Sequence, residues 1–376
     1  MQKKTALILT GGGARAAYQV GVVKAVDELL GHPRANPFPI VCGTSAGAIN
    51  AAALAIHADN FAESVGRLVG VWENFRVRDV YRSDWPGIMR TGARWVAALM
   101  LFSRSNPVSL LDNTPLREML ARTMEFGRIA ANIDSGAVHA VAVTASGYTS
   151  GQSVTFYQGG SGLEQWERTQ RVGAATPLSV ELLLASSAIP FIFPAVKFHR
   201  EFFGDGSMRQ MAPISPALHL GADRVLVIGT GRQWQDSPRM RSTLYPSLAQ
   251  IAGHALNSIF LDSLAVDIER LQRINNTLQC VAPEKAHQLG LKLRPVDVLV
   301  MHPSEPIERI AARHVQDFPP AVRFLLRAVG AMNRNGSNLA SYLLFEAPFC
   351  KALIDLGHRD TMARRDEMLA FLGHAA

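Results

Sequence analysis

Cysteine, long apolar runs and runs of like charge are all scarce in this chain. Of its 376 residues only three are cysteines, Cys42, Cys280 and Cys350. An odd number at wide spacings, two of them inside apolar segments, excludes a disulfide framework and a cysteine zinc site. It points to reduced thiols in a cytoplasmic protein. The longest uninterrupted apolar run, Trp95 to Phe102, falls far short of the roughly 18 residues that a membrane-spanning helix needs. After Met1-Gln2-Lys3-Lys4 only Thr5 to Thr10 precede three glycines, which is too short for the apolar region of a signal peptide and reads as a first buried strand. The expectation is a soluble, cytoplasmic protein whose contact with a membrane is at most peripheral. No basic run is interleaved with aromatics and nothing resembles a calcium loop, so no nucleic-acid partner, metal or other cofactor is expected.

What is present is largely apolar: 48% of residues against 18% charged, with a net charge of +7 carried mostly by arginine. That suffices for a large core in one elaborated domain. Runs at Ala6–Thr10, Ile40–Gly43, Val138–Thr144, Ser153–Tyr157, Lys197–Phe203, Arg224–Gly229, Leu278–Val281 and Val296–Met301 predict strands, most of them covered on both faces. Helical patterns fall between them, at Ala14–Leu30, Ala46–Ile56, Phe61–Trp72, Pro115–Met124, Pro177–Ser187 and Pro246–Arg273. The alternation predicts a three-layer α/β fold, with a mainly parallel central sheet flanked by helices.

From about Ile307 the pattern is helical only, with helices over Pro320–Met332 and Leu339–Leu356 and a last one opened by Asp360 as N-cap. The chain is therefore expected to divide into a core, residues 1–306, and a C-terminal helical extension, residues 307–376, packed on it. Within the core, about residues 72–125 read as a helical insertion. Its first part holds Trp72, Phe75, Tyr81, Trp85, Trp95 and Phe102 among Arg76, Arg78, Arg82, Arg90 and Arg94. That mixture suits a surface that docks on lipid or lids an acyl channel. The same aromatics packed on the sheet, with the arginines solvated, would be ordinary core.

Three elements carry chemistry. Gly11-Gly12-Gly13-Ala14-Arg15-Ala16 follows the first strand and opens the first helix. It fits a dinucleotide-binding turn, but that turn also asks for an acidic residue about 20 positions on, at the end of the second strand. The second strand ends instead in Gly43-Thr44-Ser45-Ala46-Gly47. Glycines let the backbone N–H groups of Gly12 and Gly13 approach an oxyanion, and Arg15 adds positive charge in the same turn. The second element, G-x-S-x-G between a strand and a helix, presents Ser45 at the tip of a strained turn. Only two strands precede it, which does not fit the common hydrolase topology with a late elbow.

A serine hydroxyl needs a base, either a histidine held by an acid or a carboxylate acting alone. None of the 11 histidines sits in a pattern that marks it as that base. His199 is singled out only because it lies in the strand leading to the third element, Phe203-Gly204-Asp205-Gly206. A carboxylate between glycines at the end of an apolar strand can have its pKa raised toward the range of a general base. An Asp-Gly pair is equally an ordinary hairpin signal.

In this order the three elements resemble the patatin-like phospholipases, relatives of the cytosolic phospholipase catalytic domain. Their pattern is a strand, G-G-G-x-[RK]-G, a second strand, G-x-S-x-G and a later D-G-[GA]. Ala185 to Pro190 and Pro213 to Ile228 look like two further blocks of that family, so the resemblance spans about residues 5–230. It implies a Ser45–Asp205 dyad without histidine, an oxyanion hole from Gly12, Gly13 and Arg15, and motif support from Gly11, Gly43, Gly47 and Gly206. It also implies hydrolysis of a lipid carboxylic ester, a phospholipid or lysophospholipid, through an acyl-Ser45 intermediate. Ala16 and Ser207 depart from the pattern, and neither removes a catalytic atom. The competing readings are a transacylase or thioesterase using the same serine, a non-catalytic regulator that binds lipid or protein, and a nucleotide-binding protein.

Overall fold

A computed structural model describes residues 3–87, 89, 109–231, 246–280, 293–328, 330–332 and 336–374. The strands are β1 (Thr5–Leu9), β2 (Ile40–Thr44), β3 (Ala140–Gly147), β4 (Ser153–Gly159), β5 (Trp166–Arg168), β6 (Arg171–Ala175), β7 (Val196–Phe198), β8 (Glu201–Asp205), β9 (Arg224–Ile228) and β10 (Asp297–Met301). Among the described residues they form one sheet. Its parallel part has the order β10-β9-β1-β2-β3, and β4, β6 and β5 continue it beyond β3. β1 and β2 are buried throughout. Successive side chains point to opposite faces: Leu7 and Leu9 enter one apolar cluster, Ala6 and Ile8 the other. Two such clusters on one sheet are what three layers require.

The helices are α1 (Ala17–Leu29), α2 (Ala46–Ile56), α3 (Phe61–Glu73), α4 (Val77–Val80), α5 (Thr114–Thr123), α6 (Gly127–Asp134), α7 (Val180–Ser186), α8 (Ser215–His219), α9 (Leu248–Asn257), α10 (Ser263–Gln279), α11 (Ile307–His314), α12 (Pro320–Ala328), α13 (Ser337–Leu343), α14 (Ala347–Ala363) and α15 (Arg365–Leu372). Polar caps start several of them. Asn60 accepts the Glu63 N–H at α3, and Ser247 and Gln250 form a reciprocal capping box at α9. Ile307, Phe318, Val322, Phe349 and Leu353 lie in the same apolar cluster as α1 and α2, so residues after 306 build one face of the core. α14 packs along α1 through two glycines. A Cβ on Gly21 would meet the Ile354 carbonyl oxygen, and one on Gly357 the Tyr18 carbonyl oxygen.

The structure corrects several boundaries. Lys197–Phe203 is a hairpin of β7 and β8, turning at His199 and Arg200. β5 and β6 were not expected, because Trp166–Ala175 is a polar edge hairpin without an apolar run. Leu278 lies in α10 rather than in a strand, and Val281 is outside the described residues. Leu339–Leu356 is two helices: the chain breaks at Leu344–Glu346, and Pro348 sits in the first turn of α14, where its missing N–H is tolerated. Asp360 lies inside α14 and accepts the Ser304 N–H at 2.9 Å instead of capping a helix.

The absence of a long uninterrupted apolar run also understates one segment. Leu248–Gln279, α9 and α10 joined through a π-turn, is long and apolar enough to cross a membrane by length and composition alone. Leu256, Phe260 and Leu264 are nonetheless buried in the core, and Asp267 accepts the Ile214 N–H at 2.9 Å.

The α1–α14 contact predicts a contrast. Gly21→Val forces two backbones apart and should cost about 3 kcal/mol or more, whereas Gly66→Ala, with open space around it in α3, should gain about 0.5–1 kcal/mol. Urea unfolding of both proteins reads this directly. Equal midpoints for Gly21→Val and the parent would refute the close approach.

Candidate active site

β2 runs directly into a turn at Ser45, and α2 begins one residue later. Ser45 has φ 57° and ψ −129°, a conformation that costs a non-glycine residue about 1–3 kcal/mol. Three contacts hold it there. The Ser45 N–H donates to Ser186 Oγ at 2.9 Å, the Ser186 hydroxyl donates to Thr144 O at 2.6 Å, and Ala48 N–H donates to Ser45 O at 2.9 Å. The flanking glycines are steric necessities. A Cβ on Gly43 would collide with the Gly47 carbonyl oxygen, and one on Gly47 with the Leu9 carbonyl oxygen at the end of β1.

Asp205 arrives by strand register. Thr44 pairs with Thr144 of β3, and the next β3 residue, Ala145, pairs with Asp205 of antiparallel β8. The opposite edge of Ala145 is already taken by Val154 of β4. β8 therefore continues the edge of β3 where β2 leaves it, and Asp205 meets the Ser45 turn end to end. Gly206 makes this possible, since a Cβ there would strike the Thr144 carbonyl oxygen.

The Asp205 side chain is fully buried. Its Oδ1 accepts the Ser207 N–H at 2.9 Å, and its own N–H donates to Ala188 O at 2.9 Å. Oδ2 accepts no hydrogen bond of ordinary length among the described residues, yet the Ser45 hydroxyl is near enough to favour the ionised carboxylate. Burial pushes the Asp205 pKa up to about 6, and the Ser45 hydroxyl and the Ser207 amide and hydroxyl oppose that rise.

A cavity of about 470 Å³ opens onto Ser45. It follows α2 through Ile49 and Ala53 to His57, roughly 16 Å by helical rise, and Leu68, Trp72 and Met119 wall it. Asp205 does not line it, so Ser45 stands between the carboxylate and the cavity. Gly13 lines the mouth. Gly12 packs on Thr230, whose hydroxyl donates to Gly11 O at 2.6 Å.

Arg15 is placed differently from the expectation. Its guanidinium is buried and does not line the cavity. Nε donates to Ser341 Oγ at 2.8 Å, Nη1 to Asn257 Oδ1 at 3.4 Å and Nη2 to the Asn338 side chain, with the Tyr342 ring 3.9 Å away. Its backbone N–H donates to Gly12 O at 3.1 Å. Arg15 therefore ties the glycine loop to α9 and α13. No sequence pattern around residue 15 announces acceptors more than 200 positions away.

Neither histidine of interest joins the pair. His199 sits in the β7–β8 turn against Phe198, and His57 lies at the far end of the cavity, where burial, Arg128 and Arg67 lower its pKa. The sequence assigned no role to Ser186, although it lies in one of the resembling blocks. Asn50 was also missed: it accepts the Trp72 Nε1–H at 2.8 Å and donates to Gln19 Oε1 at 3.1 Å. A polar residue on an otherwise apolar helix was its only signal. The aromatic stretch splits. Trp72, Phe75 and Tyr81 are buried, with Trp72 and Phe75 stacked at 5.2 Å, and Trp85 is exposed. Arg90, Arg94, Trp95 and Phe102 lie outside the described residues.

With this geometry in hand, the comparison with known proteins is decisive for the family. A family model described as patatin-like phospholipase matches residues 7–218. The chain belongs to the patatin-like phospholipase family. It is 27% identical over 213 residues to a cGAMP-activated phospholipase of Pseudomonas aeruginosa, covering 57% of this chain and 55% of that protein. It is 48% identical over 50 residues to a cUMP-AMP-activated phospholipase of Escherichia coli, covering 13% of this chain and 16% of that one. The chain thus spans about half the length of the first relative and far less of the second. A crystal structure of VipD from Legionella pneumophila aligns with 98% of this chain and 67% of that chain, at a TM-score of 0.37 and 12% identity.

The buried carboxylate of this patatin-like chain has a thermodynamic signature. Its pKa is higher in the folded state than in the unfolded one, so the folded state holds the proton more tightly. Its favourable contribution is complete at acid pH and is lost as pH rises from about 4 to about 6, roughly 3 kcal/mol in all. Asp205→Asn, which keeps the acceptor for Ser207, should therefore be more stable than the parent by about 1–3 kcal/mol at pH 7.5 and nearly equal at pH 4. Urea unfolding at the two pH values measures the difference. A variant destabilised at pH 7.5 would contradict a buried charge whose desolvation outweighs its hydrogen bonds.

Proposed function

We propose that this chain is a serine acyl hydrolase acting on lipid carboxylic esters, a phospholipid or lysophospholipid, with Ser45 as nucleophile and Asp205 as its base. The observation that carries the reading is the register of β2, β3 and β8, which sets a buried carboxylate oxygen behind a strained serine at the mouth of an apolar cavity. Family membership supports it independently. In the proposed reaction Ser45 Oγ attacks the ester carbonyl while its proton passes to Asp205. The tetrahedral oxyanion is met by the N–H groups of Gly12 and Gly13. Collapse expels the alcohol, which takes the proton back from Asp205, and leaves acyl-Ser45. Water then attacks the acyl carbonyl, giving its proton to Asp205, and the fatty acid leaves as Ser45 recovers a proton.

The cavity along α2 suits the acyl chain rather than the headgroup, because Ile49, Ala53, Leu68, Trp72 and Met119 make its surface mainly hydrocarbon, with Arg67 as the charged residue in its lining. Arg15 acts in this reading through Gly12 and Gly13, not on the oxyanion itself. The P. aeruginosa and E. coli relatives are named for activation by cyclic dinucleotides, and we extend that to a cyclic dinucleotide as the first activator to test here. So small a ligand needs no basic groove interleaved with aromatics.

Two measurements test the reading. A fluorophosphonate probe should label the parent and fail to label Ser45→Ala, and equal labelling of the two would end the proposal. Since only ionised Asp205 can accept the proton, kcat/KM on a soluble short-chain ester should rise through about pH 6 and level off above it. Asp205→Asn should lose about 100-fold or more in rate and lose that inflection. A parent profile that is flat from pH 5 to pH 8 would rule Asp205 out as the base.

A further inference from the structure

Phe191 is 76% exposed and has φ 65°, a left-handed conformation that a bulky side chain adopts only at a cost of about 1–3 kcal/mol. The strain is fixed rather than incidental. The Leu110 N–H donates to Phe191 O at 2.7 Å, and the Leu111 N–H donates to Ile192 O at 2.9 Å. Burial does not account for an aromatic ring held outward at that cost.

Around it lies a contiguous apolar surface. Leu110, Phe191 and Leu248 are exposed and also line a second cavity of about 330 Å³, between the 189–193 loop, α9, α12 and α13. Ile251, one turn after Leu248 on α9, is exposed as well, and so is Phe324 on α12, the helix that also supplies Val322 and Leu326 to the cavity; Trp85 packs on Phe324 at 5.6 Å. This cavity shares a wall with the Ser45 cavity. Tyr81, Ile192 and Leu343 line the second, while their chain neighbours Val80, Phe193 and Tyr342 line the first.

The helices that border the cavity, α9, α12 and α13, carry no acidic side chain. α12 carries Arg323 and Arg327 and no acidic residue, and α9 carries no Asp, Glu, Lys or Arg.

We propose that this patch docks the protein on an anionic lipid surface, with hydrocarbon entering the second cavity and the arginines meeting lipid phosphates. Two features favour lipid over a second copy of the chain. In a two-fold contact the same arginines would face each other, and a flat protein surface would leave the cavity empty. An anionic bilayer satisfies both, pairing cationic side chains with headgroups and filling apolar space with acyl tails. Docking explains the lipid-hydrolase reading's access to its substrate, but binding itself is independent of catalysis.

The test uses full-length Ser45→Ala protein, so that lipid is not consumed, and sedimentation with vesicles of phosphatidylcholine alone or mixed with phosphatidylglycerol. The parent should pellet with the anionic vesicles and far less with the neutral ones. Adding Phe191→Ser, Leu248→Ser and Phe324→Ser should lower partitioning at least about tenfold. Arg323→Glu with Arg327→Glu should abolish the preference for anionic lipid. Phe191, Leu248 and Phe324 are exposed, and unchanged turnover of a soluble short-chain ester in the Ser45-containing triple variant checks that the fold survives. Undiminished pelleting of the triple variant would overturn the proposal, as would equal binding of the parent to both vesicles. A parent dimer that the triple variant converts to monomer would assign the patch to self-association instead. Vesicle binding without any ester turnover, with or without added cyclic dinucleotide, would reject the hydrolase reading and leave docking intact.

Discussion

A serine forced into φ 57° at the end of a buried strand is the constraint around which the rest of this molecule is arranged. The conformation is unfavourable on its own, so its surroundings must over-determine it. Gly43 and Gly47 let the turn close against β1, Ser186 captures the Ser45 N–H, and α2 departs at once to carry the chain away. The result is a hydroxyl at the entrance of an apolar cavity, on the C-terminal edge of a parallel sheet, where such folds place ligands. The loops after β1 and β2 meet there because those strands are neighbours.

Asp205 adds a second unfavourable element beneath the first. A carboxylate with no exposed surface, one of whose oxygens accepts no hydrogen bond of ordinary length among the described residues, is maintained against its desolvation. A pKa raised to about 6 leaves the group ionised at neutral pH and able to take a proton readily. Stability is sacrificed at the point where reactivity is gained, and the remaining core must make up the difference. The C-terminal helices contribute to that core. Through Asn338, Ser341 and Tyr342 they also hold Arg15, and hence the glycine loop, from more than 300 residues away.

The central strands, the Ser45 turn and the approximate helices around them were legible because they rest on local patterns: continuous apolar runs, glycine at a tight turn, helical spacing. Asp205 was legible as a candidate, since an acid between glycines after an apolar strand is a local signal too. Its position beside Ser45 was implied by the family resemblance alone, because antiparallel pairing of β8 with the end of β3 is a register between distant segments. Arg15 was misplaced for the same reason: its position in a glycine-rich turn suggests a role facing the site, whereas its acceptors lie on α9 and α13. The polar hairpin of β5 and β6 had no apolar signature, and Pro348 was not read as the start of a new helix. Trp72, Phe75 and Tyr81 looked equally suited to a surface and to a core. Only the packing decided that Trp72 and Phe75 wall the Ser45 cavity and Tyr81 the second one, while exposed apolar side chains lie at Phe191, Leu248 and Phe324.

The central claim is that Ser45 becomes acylated with Asp205 as its base. Mixing the protein with a chromogenic long-chain ester, quenching in acid within the first turnover and mapping peptides by mass spectrometry tests it most directly. The account predicts one acyl group on the peptide containing Ser45 and an early burst of released alcohol. It also predicts that the acyl group accumulates more slowly in Asp205→Asn. An acyl group on another residue, or full-rate acylation of Ser45 in Asp205→Asn, would contradict it.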